Sequence, residues 1–357
     1  TGCFRMGRGT SLYRLIITED MQMKRKKISV LAIALGLLAS CATNESYMLE
    51  TMEIGFNAVT GNATKAILSA GALPQTESFD IWGFYSNDGS FNEFADNSTS
   101  NFMDGLKIEW TSGNDASRPE AWRNKDKYYY WPTTGVIGFY AIYPSGLSGV
   151  QAPEFKGNGL VVENYKLDVT SKYTDLMYAY TLGTNRSTAL PIQFKHALSQ
   201  IEFVLKLEES YPDVEFYIDE IQLLNVDLQA TFKYVQPSSM GSWIDNTDSQ
   251  IENILYSDDK KSLSATASTY STAMVMMPQE LSKADNAKTS ISISYRMIQA
   301  DGTVMTGQLV KDISTLQKSW DLSTKYVYTL NFNLNEITFN PEVTDWTEIS
   351  VNRIQVL

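Results

Sequence analysis

Cysteine is almost missing from this sequence: there are two in 357 residues, Cys3 and Cys41. Cys3 lies in a segment read below as a leader and Cys41 ends a processing motif, so no disulfide is expected. Stability must then come from packing and backbone pairing. Histidine is scarcer still, with His196 alone. One imidazole and no spare thiol exclude the zinc, thiol and serine-hydrolase templates, and no GxSxG occurs. His196 stands between Phe194 and Leu198 at the start of a strand and reads as a packed or hydrogen-bonded residue. Long windows with apolar residues at i, i+3, i+4 and i+7 are also missing, which leaves few helices. Carboxylates are plentiful, but Glu208-Glu209 and Asp258-Asp259 read as solvated faces. A glycosidase needs two of them at a set separation across a cleft, which sequence does not carry. The expectation is a protein that is not an enzyme, with no cofactor and no metal site.

Positive charge is in deficit as well. The chain has 29 Lys and Arg against 41 Asp and Glu, a net charge of −12. Seven of the basic and two of the acidic residues fall in residues 1–40, so residues 41–357 carry 22 against 39, a net of −17. Such a surface repels phosphate backbones, and no nucleic-acid partner is expected.

What basic charge the front of the chain has is concentrated in one place. Met23–Cys41 reads MKRKKISVLAIALGLLASC, with Lys24, Arg25, Lys26 and Lys27 as a positive head. Ile28 to Leu38 is an apolar run, and Ala39 and Ser40 form a small-residue exit. This is the layout of a secretory signal. Its apolar run is about half the ~20 residues that a membrane-spanning helix needs. Leu38-Ala39-Ser40-Cys41 looks like a bacterial lipobox, in which Cys41 is lipidated and becomes the first residue of the mature chain. Export signals act from the chain terminus. Residues 1–20 therefore read as upstream sequence, with the true start at Met21 or Met23, residues 21–40 as a lipoprotein signal peptide, and residues 41–50 as a polar tether. The mature chain of 317 residues is long enough for two domains.

After the tether the period is two. Met52, Ile54, Phe56 and Ala58 alternate with Glu53, Gly55 and Asn57, the mark of a half-buried strand. A second strand is predicted over 79–85, and 87–119, rich in Asn, Ser, Gly and Asp, reads as mostly loop. Val136–Tyr143 (VIGFYAIY) is apolar on both faces: Ile137, Phe139 and Ala141 on one, Val136, Tyr140 and Ile142 on the other. A strand of that kind is covered on both faces or lies at a domain junction. Another short strand is read at 175–180. The polar break at 183–188 sets the expected boundary between an N-terminal domain, 51–186, and a C-terminal domain, 187–346. In the second, 192–207 ends in a clean alternation, strands are predicted at 214–224, 231–234, 272–277, 290–298, 304–310 and 325–334, and 337–346 leads into a last alternating piece at 348–357. About a dozen strands at turn-rich spacing predict an all-β protein built of sandwiches.

Four motifs, in order, carry a resemblance. Tyr129-Tyr130-Trp131-Pro132 is followed by FYAIYP, and Phe194-x-His196-Ala-Leu-x-Gln-Ile201 opens the second half. Trp320-x-Leu322-x-x-x-Tyr326-x-Tyr328-x-Leu330 then precedes Val343-Thr-Asp-Trp346. Behind a lipobox, this series resembles the fimbrillin family of Bacteroidales, the Mfa-like or FimA-like subunits of type V pili, over nearly the whole mature chain. The resemblance implies two tandem transthyretin-like β-sandwich domains. It implies transport as a lipoprotein to the outer membrane and a final place at the cell surface, in a fimbrium. It further implies that a trypsin-like protease removes the lipidated tail with its first strand, and that a neighbouring subunit's donor strand fills the groove left behind. The partners it implies are other fimbrial subunits, the outer membrane through the lipid, the processing protease, and a host glycan or protein receptor.

Carried onto this chain, the candidate removable strand is Met52, Ile54, Phe56 and Ala58. Lys65 lies in a Gly/Asn/Thr turn and is the only basic residue between Cys41 and Lys107, so the Lys65–Ala66 bond is the candidate processing site. The family's cutting position is typically Arg, and Lys here is a departure. The plain alternative is a solvated lysine, and an uncut subunit would be an anchor or a tip rather than a stalk unit. Residues 347–357, with Ile349, Val351, Ile354 and Val356, form a candidate donor strand, although the alternation slips at Arg353 and the piece equally suits an ordinary last strand. A function of another class stays open: a non-polymerising surface lipoprotein that binds glycan or host protein through exposed aromatics such as Trp122, Tyr129 and Trp243, residue types that are more often core. A glycan-processing enzyme on a β scaffold is a third.

Overall fold

The computed structural model describes residues 52–345, apart from 61–70, 88–99, 101, 114–117, 155–158, 170–174, 237, 246–250, 271–272, 284–286 and 334–336, with backbone alone at 245, 337–341 and 344–345. The leader, Cys41, Lys65, Ala66, Trp346 and the candidate donor residues Ile349, Val351, Ile354 and Val356 lie outside the described residues. Among the described residues the chain is all β, with no helix.

Seven strands of the first half close into a barrel. They are β1 (Phe56–Thr60), β2 (Ser78–Ser86), β3 (Met103–Thr111), β4 (Ala121–Arg123), β5 (Val136–Tyr143), β8 (Met177–Gly183) and β9 (Leu190–His196). Their order is β1-β4-β3-β2-β5-β8-β9 and back to β1. Every pairing is antiparallel except β1 with β9, which is parallel. Closure leaves this sheet without a terminal strand among the described residues. The interior is aromatic: Phe56, Phe79, Trp122, Trp131, Phe139 and Phe194 fill it together with Ile81, Ile108 and Ile192.

β5 is the strand where two cores meet. Its Ile137, Phe139 and Ala141 point into the barrel, and Tyr140 and Ile142 belong to a second, larger core. The double-sided apolar pattern is thus covered on both faces. The layer on its outer face is a four-stranded sheet, β6 (Val150–Glu154), β7 (Gly159–Lys166), β12 (Gln229–Tyr234) and β13 (Ser242–Asp245), in the order β13-β12-β7-β6. Tyr140 meets Tyr234 edge-on at 5.9 Å, and Tyr178 packs on Phe232 at 4.9 Å and on Tyr234 at 4.6 Å. The polar ends are satisfied: Gln236 N donates to Tyr140 Oη at 3.2 Å and Gly241 N to Tyr178 Oη at 2.8 Å.

This arrangement moves the expected boundary at 186/187. β9 lies beyond it in sequence but completes the barrel, and β6 and β7 lie before it but share a sheet with β12 and β13 through the β7–β12 pairing. The stretch read as loop at 87–119 also contains β3. Gly105 at φ +59° and a register shift opposite Ile81–Gly83 break its alternation, which hid it.

The remaining strands form a two-sheet sandwich. One sheet holds β10 (Ser199–Leu207), β16 (Ser268–Thr269), β17 (Met274–Met276), β22 (Thr324–Phe332) and β23 (Ile337–Asp345). The other holds β11 (Val214–Asp227), β14 (Ile251–Ser257), β15 (Lys261–Ser262), β19 (Ser290–Gln299) and β20 (Val304–Asp312). A short pair, β18 (Gln279–Glu280) and β21 (Ser319–Trp320), stands apart. The alternation read in β10 is realised: Ile201, Phe203, Leu205 and Leu207 are buried, while Glu202, Val204 and Lys206 are half-buried. Phe203 joins the two sheets, edge-on to Tyr256 at 4.7 Å and stacked on Tyr328 at 5.6 Å.

Burial holds the phenols of Tyr140, Tyr178 and Tyr328 above their ordinary range, and pushes Tyr234 and Tyr326 to about 12. An unfolded chain ionises tyrosine near 10. Between that value and the folded ones, the folded state binds more protons, so stability is intact below pH ~10 and is lost as pH rises through the folded values. A spectrophotometric titration is expected to show exposed tyrosines ionising near pH ~10 and a second class ionising only as the fold is lost. A single class in folded protein would contradict the packed junction.

Candidate functional site: the strand that closes the barrel

β1 lies between β9 and β4. Along β9 it runs in register from Phe56↔Leu190 to Thr60↔Phe194, but toward β4, only three residues long, it has the single rung Phe56↔Trp122. Pairing continues at both ends of β1. Ile54 N donates to Tyr129 O at 2.7 Å, Trp131 N to Met52 O at 3.0 Å and Leu190 N to Gly55 O at 2.8 Å. Beyond it, Thr60 N donates to Gly71 O at 2.5 Å and Leu73 N to Ala58 O at 3.2 Å. Residues 52–60 therefore act as one stave.

The stave's alternation is the one read from the sequence. Ile54, Phe56 and Ala58 face inward and are at most 3% exposed, while Asn57 faces solvent and Met52 packs half-buried against the same core. The Phe56 ring stands edge-on to Phe139 at 5.2 Å and to Phe79 at 6.5 Å. Burial of Ile54 and Phe56 contributes about 1.5–3 kcal/mol each. The four residues of the expected removable strand thus share one slot, walled by Trp122, Trp131, Ile192 and Phe194.

A charged clasp holds the front of the stave. Glu53 accepts two hydrogen bonds from Arg118, Nε to Oε2 at 2.7 Å and Nη2 to Oε1 at 3.0 Å. Arg123 Nε lies 3.4 Å from the same Oε2, and its Nη1 donates to Thr111 Oγ1 at 3.1 Å. Burial pulls the Arg123 guanidinium below its ordinary range, an effect the Glu53 charge opposes. The hydrogen bonds that Arg118 donates to Glu53 raise its guanidinium above the ordinary range. A bidentate carboxylate pair in partly buried surroundings is the strong form of such a contact. Arg123 passes so close beneath the stave that a Cβ on Gly55 would lie 2.9 Å from Ala121 Cβ and 3.3 Å from Arg123 Nη2. The sequence reading missed both arginines, although four of the basic residues between Lys107 and Lys166 cluster from Arg118 to Lys127.

The expected aromatic platforms are corrected by the structure. Trp122 is buried in the barrel. Trp243 packs on Phe232 at 5.2 Å and donates Nε1–H to Ala197 O at 2.6 Å. Tyr129 packs on Phe102 at 6.0 Å, with the Lys127 ammonium 4.8 Å from its ring centroid. In an extended run alternate side chains point opposite ways, so Tyr129 and Trp131 turn inward and the exposed rings are Tyr128, at 56%, and Tyr130, at 47%. His196 is hydrogen-bonded through Nδ1 to the Asp175 carboxylate, as a packed histidine should be. Burial pushes the Asp175 carboxyl up, and His196 draws it back.

The family model described as fimbrillin-like matches residues 53–346. Among solved structures, the chain resembles a fimbrial protein from Bacteroides vulgatus at 20% identity and TM-score 0.52, covering 83% of this chain and 99% of that one. It also aligns with the tip fimbrial protein Mfa3 from Porphyromonas gingivalis at 9% identity and TM-score 0.35, covering 83% of this chain and 99% of that one. At 20% identity the likeness to the Bacteroides vulgatus protein concerns the fold alone. No curated protein matches.

Two substitutions measure how firmly the stave is held. Phe56→Ala is expected to lower stability by about 3–5 kcal/mol in urea unfolding, the usual cost of an emptied aromatic site. Glu53→Ala should cost about 3 kcal/mol, because it leaves a buried guanidinium without its counter-charge, and the loss should vary little with salt. A loss under ~1 kcal/mol that fades with salt would mark the clasp as an ordinary surface pair.

Proposed function

This chain belongs to the fimbrillin-like family, whose members are structural and not catalytic proteins, and from that premise we propose that it is a structural and adhesive subunit of a cell-surface fimbria, assembled by strand exchange. The precursor is tethered to the outer membrane through lipid on Cys41. A trypsin-like protease cuts the Lys65–Ala66 bond and frees the stave with its tether. A donor strand from a neighbouring subunit, residues 347–357 with Ile349, Val351, Ile354 and Val356, then takes the stave's place. The neighbours are further fimbrial subunits, and the finished fibre meets a host glycan or protein.

The observation that carries this reading is how the stave is built in. It fills the barrel with Ile54, Phe56 and Ala58, yet its one rung to β4 is flanked by short pairings with 129–131 and 71–73 rather than by a continuous ladder, and it is the first strand among the described residues. Its loss would leave the order of the other six barrel strands unchanged and bare the β9 edge from Leu190 to Phe194, a template for main-chain pairing. Keeping the stave in place until assembly covers that edge.

A second reading, a non-polymerising surface lipoprotein that binds glycan or host protein, is favoured by the exposed Tyr128 and Tyr130. The Arg118 guanidinium lies 4.7 Å from the Tyr128 ring centroid, and the solvent-facing surface of the two rings is suited to stacking on sugar. Purified monomer that binds a glycan array, with binding lost in the Tyr128→Ala/Tyr130→Ala double variant, would support it.

N-terminal sequencing of protein extracted from the cell surface is expected to read from Ala66. A start at Thr43 or earlier, with none at Ala66, would rule out processing there. Deletion of 347–357 is expected to abolish heat-resistant polymer ladders while leaving the monomer folded, and an unchanged ladder would discard the strand-exchange assembly.

A further inference from the structure

The clasp on Glu53 constrains whatever replaces the stave. The Arg123 side chain is 5% exposed, and its Nε, which lacks a hydrogen-bond acceptor among the described residues, has Glu53 Oε2 at 3.4 Å to offset its charge. Arg118 donates two hydrogen bonds to the same carboxylate. If the stave leaves, both guanidiniums stay beside β4 and lose that partner. A buried cation without a counter-charge costs several kcal/mol. A purely apolar donor would leave Arg123 Nε without that carboxylate, and a donor carrying one at the same place restores it.

Residues 347–357 contain one acidic residue, Glu348. Set on Glu53, it brings its neighbours into step: Glu348-Ile349-Ser350-Val351-Asn352 lies on Glu53-Ile54-Gly55-Phe56-Asn57. Glu, Ile and Asn coincide. Ile349 and Val351 take the inward places of Ile54 and Phe56, and Asn352 the solvent place of Asn57. Val351 fills less of the space beside Phe79 and Phe139 than Phe56 does, so apolar fit alone distinguishes this segment poorly from other apolar strands. Ser350 brings a Cβ to within 2.9 Å of Ala121 Cβ, and β4, a three-residue strand with one rung to the stave, is the wall that can yield. The place of Ala58 is buried and does not admit Arg353, so the register ends at Asn352.

We propose that Arg118 and Arg123 are the specificity-determining pair of the slot. They select Glu348 of a second copy of this chain, seated with Glu348–Asn352 in the register of Glu53–Asn57. This rests on the strand-exchange reading above and deepens it by naming the residue that chooses the partner.

Cells expressing the full chain are scored for heat-resistant ladders as wild type, Glu348→Arg, Glu348→Asp and the 347–357 deletion. Glu348→Arg is expected to abolish ladders and Glu348→Asp to keep them. Loss on deletion with wild-type ladders in Glu348→Arg would overturn this inference and leave strand exchange standing. Wild-type ladders in the deletion would remove strand exchange itself, and this inference with it. A synthetic peptide spanning 346–357, added during assembly, gives a readout independent of how each variant folds. The Glu348→Arg peptide should need roughly ten-fold or more of the wild-type concentration to shorten the ladders, the scale of a broken buried charge pair. That ratio should shrink when the cells carry Arg118→Gln. Equal potency of the two peptides, or a ratio unmoved by Arg118→Gln, would overturn the proposal.

Discussion

The parallel ladder between β1 and β9 is the constraint on which the first half of the molecule depends. A strongly curved sheet of six strands has two raw edges, and the short stave joins them. Its backbone satisfies the β9 edge from Leu190 to Phe194, and its side chains complete an interior that is otherwise aromatic on every side. The join is uneven: five continuous rungs to β9 on one flank, and on the other three separate short pairings, with 129–131, with β4 at Phe56↔Trp122 and with 71–73. A strand held in this way can be deeply buried and still be the element whose exchange disturbs least of the remaining topology.

Charge and packing divide the work along that strand. The inward residues supply apolar area, which is indifferent to the identity of the strand that brings it. The Glu53 clasp supplies direction and register, because bidentate geometry tolerates little displacement. In a chain whose net charge is strongly negative, two guanidiniums meeting one carboxylate at the mouth of a buried slot form a local exception.

Much of the architecture could be read from period-two patterns. Val136–Tyr143 showed both that it was a strand and that both faces were covered, because each face had its own apolar set. Met52 to Ala58 showed which side chains enter the barrel. What stayed hidden depended on contacts distant in sequence. β3 was masked by a left-handed glycine and a bulge. β7 was missed because Val161 and Val162 are both buried, so its alternation fails, and its partner β12 lies some seventy residues on. The arginine clasp was invisible for a similar reason: Glu53 and Arg118 are 65 positions apart, and nothing local marks either one as paired. The aromatic candidates erred in the common direction, since Trp122 serves the interior and the solvent-facing rings are its less conspicuous neighbours Tyr128 and Tyr130.

The sheet formed by β6, β7, β12 and β13 draws two strands from each half of the chain. A cut at the polar break near 186 would strand β6 and β7 without their partners on one piece and carry β9 away on the other. The halves are therefore not interchangeable modules. Any division of the chain that respects strand pairing has to keep 150–166 with 229–245, so the connection between two structural layers runs back and forth across the middle of the sequence rather than once through a linker.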